Sequence, residues 1–159
     1  MRTPFVPAAL AALVLAVPAR AVAQDERAAV LATVQRLFDG MQRGDTALMR
    51  STFLPGAKLF GIRTRQNGQS VVQQITEQQF AEARAGDTRG EWLERIFDPE
   101  VRIDGTMATV WAAFEFRVAG QFSHCGTDAI QLVKTADGWR IVSIADTFQR
   151  TGCPERPAP

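Results

Sequence analysis

From Trp92 to Phe148 the chain offers four long runs rich in β-branched and aromatic residues, joined at Asp104-Gly105, Ala119-Gly120 and Ala136-Asp137-Gly138. This pattern constrains the fold more than any other. Glycine and aspartate at such junctions tolerate the left-handed backbone that a tight hairpin needs. "WLERIFDPEVRI", "MATVWAAFEFRV", "QFSHCGTDAIQLVK" and "WRIVSIADTF" therefore read as consecutive antiparallel strands. Upstream the period changes. In residues 26–43, Val30, Val34, Leu37 and Met41 form one apolar stripe with Leu31 and Phe38 beside it, the spacing of an amphipathic helix. Gly44 ends that helix. Asp45 caps a short second one, "TALMRSTF", which must stop before Pro55. "AKLFGIRTRQNGQSVVQQI" reads as two strands about the turn Asn67-Gly68. Thr76 and Gln79 form a capping box for a third helix, "EQQFAEARA". Helices first and a curved antiparallel sheet after make an α+β fold.

The opening residues follow a different logic. "MRTPFVPAALAALVLAVPARAVAQ" has Arg2, an apolar run from Phe5 to Val17, then Ala21-Val22-Ala23. That order is a secretory signal peptide over residues 1–23. The run is shorter than the roughly 20 apolar residues that span a bilayer, and prolines interrupt it. The expectation is an exported protein, periplasmic or extracellular, with one domain at 24–150 and a Pro-rich tail at 151–159. Without Arg2 and Arg20, 16 of the 18 basic residues face 17 acidic ones. This balance, with no basic run, speaks against nucleic acid and against an anionic membrane surface as partners. There is no phosphate loop and no G-x-S-x-G elbow, and no cofactor is implied. Export makes a Cys125–Cys153 disulfide the simple reading of the two cysteines, against two separate thiols.

Turn geometry gives a register. A three-residue loop at 136–138 pairs Thr135 with Trp139 and sets Asp128 opposite Asp146. A two-residue turn at Ala119-Gly120 sets Glu115 opposite His124 and Trp111 opposite Asp128. Alternation then places Trp111, Glu115, His124, Asp128 and Asp146 on one face. Phe114, Phe116, Cys125, Trp139 and Ile141 fall on the other. Both faces are apolar enough to need cover, by helices on one side and by a second copy of the chain on the other. Two opposed acids away from water raise one another's pKa, and a few polar groups in an apolar concavity resemble a ligand site. The bland alternative is an open sheet end with hydrated acids and a Glu115–His124 pair. His124 and Cys125, as strand neighbours, point apart, which disfavours a shared metal ion.

The segments "FDGMQRGDTALMRSTFLPGAKL", "ATVWAAFEFRV", "FSHCGTDAIQLVK" and "DGWRIVSIADT" resemble the nuclear transport factor 2-like superfamily over residues 26–150. The nearest likeness is to the bacterial branch labelled "putative lumazine-binding". The resemblance implies a cone: a strongly bent antiparallel sheet wrapped around N-terminal helices, a pocket at the wide end, and homodimers through the sheet. Some relatives are isomerases, dehydratases or cyclases, while others bind without catalysis. Isomerases of that superfamily use a tyrosine donor, and this chain has no tyrosine. The first expectation is thus a pocket for a small, partly apolar molecule, with Trp111, Trp92 and Phe60 as walls, Arg63 for an acidic group, and Glu115 beside His124. The alternative is acid–base catalysis with Asp128 or Asp146 as base and His124 as proton partner. A third is a dimeric interaction module using the outer face.

Overall fold

The computed structural model describes residues 19–155, with side chains from Ala23 onward. In chain order it runs α1 (Ala19–Arg43), α2 (Thr46–Thr52), β1 (Phe53–Thr64), β2 (Ser70–Thr76), α3 (Glu77–Gly86), β3 (Trp92–Asp104), β4 (Met107–Val118), β5 (Gln121–Thr135) and β6 (Gly138–Phe148). Ala19–Ala23, the end of the expected leader, belong to α1. The rest of that leader and the last four residues of the tail lie outside the described residues. No helix among those residues is long and apolar enough to cross a membrane.

Local chemistry sets the helix ends. Gly44 takes φ +70° and turns the chain, and Asp45 caps α2 by accepting from the Leu48 N–H at 2.9 Å. Thr76 and Gln79 close the expected capping box on α3. Arg84 of α3 is buried against the end of α1. Its Nε donates to the Met41 carbonyl at 2.6 Å, and it reaches Gln42 O and Asp87 O at 3.5 Å. A helix end leaves carbonyls without partners, and this guanidinium supplies them.

The six strands form one sheet in the order β2-β1-β6-β5-β4-β3. Neighbours are antiparallel except β1 and β6, which run parallel. The apolar stripe of α1 lies on the inner face. Val30, Val34, Leu37, Phe38 and Met41 bury with Val110, Ala112, Ile130, Leu132 and Ile141. Each large aliphatic side chain so buried contributes about 1.5–3 kcal/mol.

Bulges in β3, β5 and β6 interrupt the ladders, and the last two correct the expected register. In β3, Asp98-Pro99 bulges from the ladder with φ +48° at Asp98. Bulges are where a strand tolerates proline. In β5, the Ala119-Gly120 turn has the expected two residues, but Ser123 then bulges out. Beyond it every β4 position slips by one, so Glu115 faces Cys125 and Trp111 faces Ala129. With a side-chain period of two, a one-residue slip exchanges the faces. Trp111 and Glu115 go outside, and Phe114 and Phe116 go inside. In β6, the turn is one residue shorter than expected, with Thr135 opposite Gly138, and Val142 bulges. The two shifts cancel, so Asp128 does face Asp146. Trp139 and Ile141, expected on the outer face, are core residues, 3% and 0% exposed.

Candidate functional site

Between the inner sheet face and helices α1 and α3 lies a cavity of about 340 Å³. Its walls are apolar. Leu37, Phe38 and Met41 come from α1, and Phe80 comes from α3. Phe80 and Phe116 both pack on Trp92, at 6.0 and 5.8 Å between centroids. Three carboxyls interrupt this lining, one from each of three strands: Glu94 of β3, Asp128 of β5 and Asp146 of β6.

Strand pairing holds Asp128 against Asp146, and Asp128 is 2% exposed. The Glu94 and Asp128 side chains are hydrogen-bonded to each other. Two carboxyls bond in this way only when one carries a proton. Burial pushes Asp128 up to about 7; the Asp146 charge adds to this, while the Glu94 hydrogen bond opposes it. Burial pushes Asp146 up to about 6, against the nearby Arg63 charge and a backbone hydrogen bond. Glu94 stands well above the ordinary carboxylate value, through burial first and then the charges and hydrogen bonding of its acidic neighbours. The pair therefore holds one proton between them, and both carboxyls stand above their ordinary values. Asp128 Oδ2 is buried without a hydrogen-bond partner.

A second polar group surrounds Phe148. The His124 ring stacks on it at 4.0 Å, and the guanidinium of Arg63 lies 4.3 Å from its centroid. Arg150 is at 5.4 Å. Burial, then the Arg63 and Arg150 charges, push His124 down to about 4, so the imidazole is neutral at pH 7. Its Nδ1 is 3.0 Å from Ser123 Oγ.

Of the expected site residues, Asp128, Asp146, His124, Arg63 and Trp92 line this cavity. Three others do not. Trp111 is 58% exposed on the outer face. Glu115 is outside too, bonded to Arg117 at 2.6 Å and Arg95 at 3.1 Å. Burial raises the Glu115 pKa, but these two guanidinium hydrogen bonds win and hold it low. Phe116, not Glu115, faces His124. Phe60 follows Leu59, which takes the inward position and lines the cavity, so Phe60 points away from it. Glu94 was missed. Its signal was present, for it stands two residues beyond Trp92 on the same strand and so shares the face of a residue already assigned to the pocket. Cys125 and Cys153 are joined by a disulfide across 28 residues. It ties the segment after β6 to the outer side of β5, where Cys125 and Gln149 exchange backbone hydrogen bonds at 3.0 Å.

This architecture, an unclosed bent sheet around N-terminal helices with a cavity between, is that of nuclear transport factor 2-like proteins. A superfamily protein from Salmonella enterica superposes with a TM-score of 0.63 at 18% identity, covering 85% of this chain and 99% of that one. A protein from Novosphingobium aromaticivorans with a cystatin-like fold gives 0.64 at 15%, covering 84% and 88%. One of unknown function from Shewanella baltica gives 0.60 at 19%, covering 80% and 97%. At these identities the likeness shows the fold alone. The sequence itself is more specific: residues 25–145 match the family described as "Putative lumazine-binding", and the chain belongs to that family. No curated protein matches it.

Proposed function

We propose that this chain is an exported protein that binds a small, partly apolar molecule in the cone cavity. The cavity itself carries the reading: about 340 Å³ of space, walled by aromatic and aliphatic side chains, with a few convergent polar groups. Such a concavity suits a small ligand. Trp92 in its wall provides a reporter. Titration with the neutral fluorescent probe N-phenyl-1-naphthylamine is expected to saturate at one site per chain. Val118→Trp, at a half-buried lining position, fills part of the space and is expected to weaken the probe tenfold or more. Absence of saturable binding, or full affinity in a folded Val118→Trp protein, overturns the reading.

A second reading is acid–base catalysis, favoured by the Glu94–Asp128 hydrogen bond. A base near 7 beside a protonated acid is poised for proton transfer at neutral pH. Asp128 would take a proton and Glu94 would return one, with Asp146 stabilising the charge pattern. His124, neutral and engaged with Ser123 and Phe148, stands apart from that pair. The outer face, with Trp111 and Met107 more than half exposed, supports a homodimer as the remaining proposal. Sedimentation of the wild type and of Trp111→Glu tests it, and a wild-type monomer at high concentration removes it.

A further inference from the structure

The acidic end of the cavity is out of balance. Glu94, Asp128 and Asp146 converge from β3, β5 and β6 on the inner face. The basic side chains that line the same cavity are Arg63, Arg89 and Arg150, all of them exposed. Arg63 acts on Asp146. Neither Asp128 nor Glu94 has an arginine among the groups that set its charge. His124, the remaining titratable group on the wall, is turned onto Phe148 with the arginines. One acceptor oxygen, Asp128 Oδ2, is buried with no donor. A buried acceptor without a partner costs free energy that a suitable donor recovers. A cationic donor does so most strongly, because it forms a charge-assisted hydrogen bond and supplies the missing counter-charge. Trp92 and Phe116, packed edge to face in the adjoining wall, add aromatic surface that attracts a cation.

We infer that the ligand of this cavity carries a cationic nitrogen, an ammonium or amidinium on an apolar body, seated against the Glu94 and Asp128 carboxyls. The inference rests on the reading that the cavity binds a small molecule, and it narrows that molecule's chemistry. The cation takes the place of the shared proton. Binding therefore releases protons and strengthens as pH rises from 5 to 8, because at low pH the amine competes with protons for the same carboxyls. The exposed arginines at the Phe148 side are screened by solvent and salt, so they set a weaker opposing field.

The test uses three molecules with one body: 3-phenylpropylamine, 3-phenylpropan-1-ol and 3-phenylpropanoate, titrated calorimetrically into the full chain at pH 8 and pH 5. The amine is expected to bind at least tenfold tighter than the other two at pH 8. It should lose at least tenfold at pH 5, and buffers of different ionisation enthalpy should show proton release. Asp128→Asn should cost the amine tenfold or more. If the alcohol or the acid binds as tightly as the amine, the inference fails. It fails equally if amine affinity is unchanged between pH 5 and 8, or if Asp128→Asn keeps full amine affinity. Saturable N-phenyl-1-naphthylamine binding in the same preparation then shows that the pocket reading survives. If neither that probe nor any of the three binds, both readings fall together.

Discussion

Replacing Asp128 by asparagine should stabilise the protein, and only above mildly acidic pH. Asparagine has the shape of a protonated aspartate and keeps a hydrogen bond for Glu94, but it never has to ionise. In the folded protein Asp128 titrates at about 7, while in the unfolded chain it has the ordinary carboxylate value. Its folded pKa is thus raised, so the folded state holds the proton longer, and stability falls as pH climbs from about 4 to about 7. At ~1.4 kcal/mol per pH unit, the loss is roughly 4 kcal/mol, an upper bound because Glu94 shares the same proton. His124 acts in the opposite sense. Its folded pKa of about 4 makes stability rise with pH up to its ordinary value, but both proteins carry it and it cancels in the difference. Urea unfolding of wild type and Asp128→Asn, followed by far-ultraviolet circular dichroism at pH 4, 6 and 8, gives that difference directly. The two should be nearly equal at pH 4, and the variant should lead by about 2–4 kcal/mol at pH 8. A constant difference across the series, or a variant that loses ground as pH rises, refutes the account of Asp128 as a buried, proton-holding group.

Other outcomes follow from single contacts. A Cβ added at Gly126 would overlap the Thr147 carbonyl oxygen and come within 2.8 Å of the Phe114 ring, so Gly126→Ala should cost about 3 kcal/mol in urea unfolding or prevent folding. Arg84→Met keeps the stem but strips the Met41 carbonyl at the end of α1 of a 2.6 Å donor; a loss of about 2–3 kcal/mol by the same assay is expected. Cys125→Ala with Cys153→Ala opens a loop closed across 28 residues and should lower stability by ~3–4 kcal/mol; oxidised wild type and the double variant unfolding at the same midpoint would contradict it.

The elements were legible where chemistry is local. The Asp45 cap, the Thr76–Gln79 box and the Ala119-Gly120 turn could each be read from a few neighbouring residues. The faces of the strands were not, because they depend on bulges. Nothing in "QFSHCG" marks Ser123 as the residue that leaves the ladder. That one residue moved Trp111 and Glu115 from the expected pocket to the outside. The Asp128–Asp146 pairing was reached by two errors that cancelled, a turn read one residue too long and an unseen bulge at Val142. Glu94 was missed for a different reason. It lies on β3, outside the β4–β6 hairpins whose turns set the register, and only alternation from Trp92 marks its face.

The parallel pairing of β1 with β6 has a consequence for the order of assembly. The first strand of the chain cannot finish its ladder until the last one arrives, roughly eighty residues later, and such distant pairings form slowly. Until then β1 has only β2 beside it, and the inner face of β5 lacks the wall that carries Ile144, Asp146 and Phe148. A nascent chain released at Thr135 would hold Glu94 and Asp128 but enclose nothing. The wall that β6 supplies is thus the last part of the cavity to be placed, and a stop codon before Ile144 would take Ile144, Asp146 and Phe148 from it.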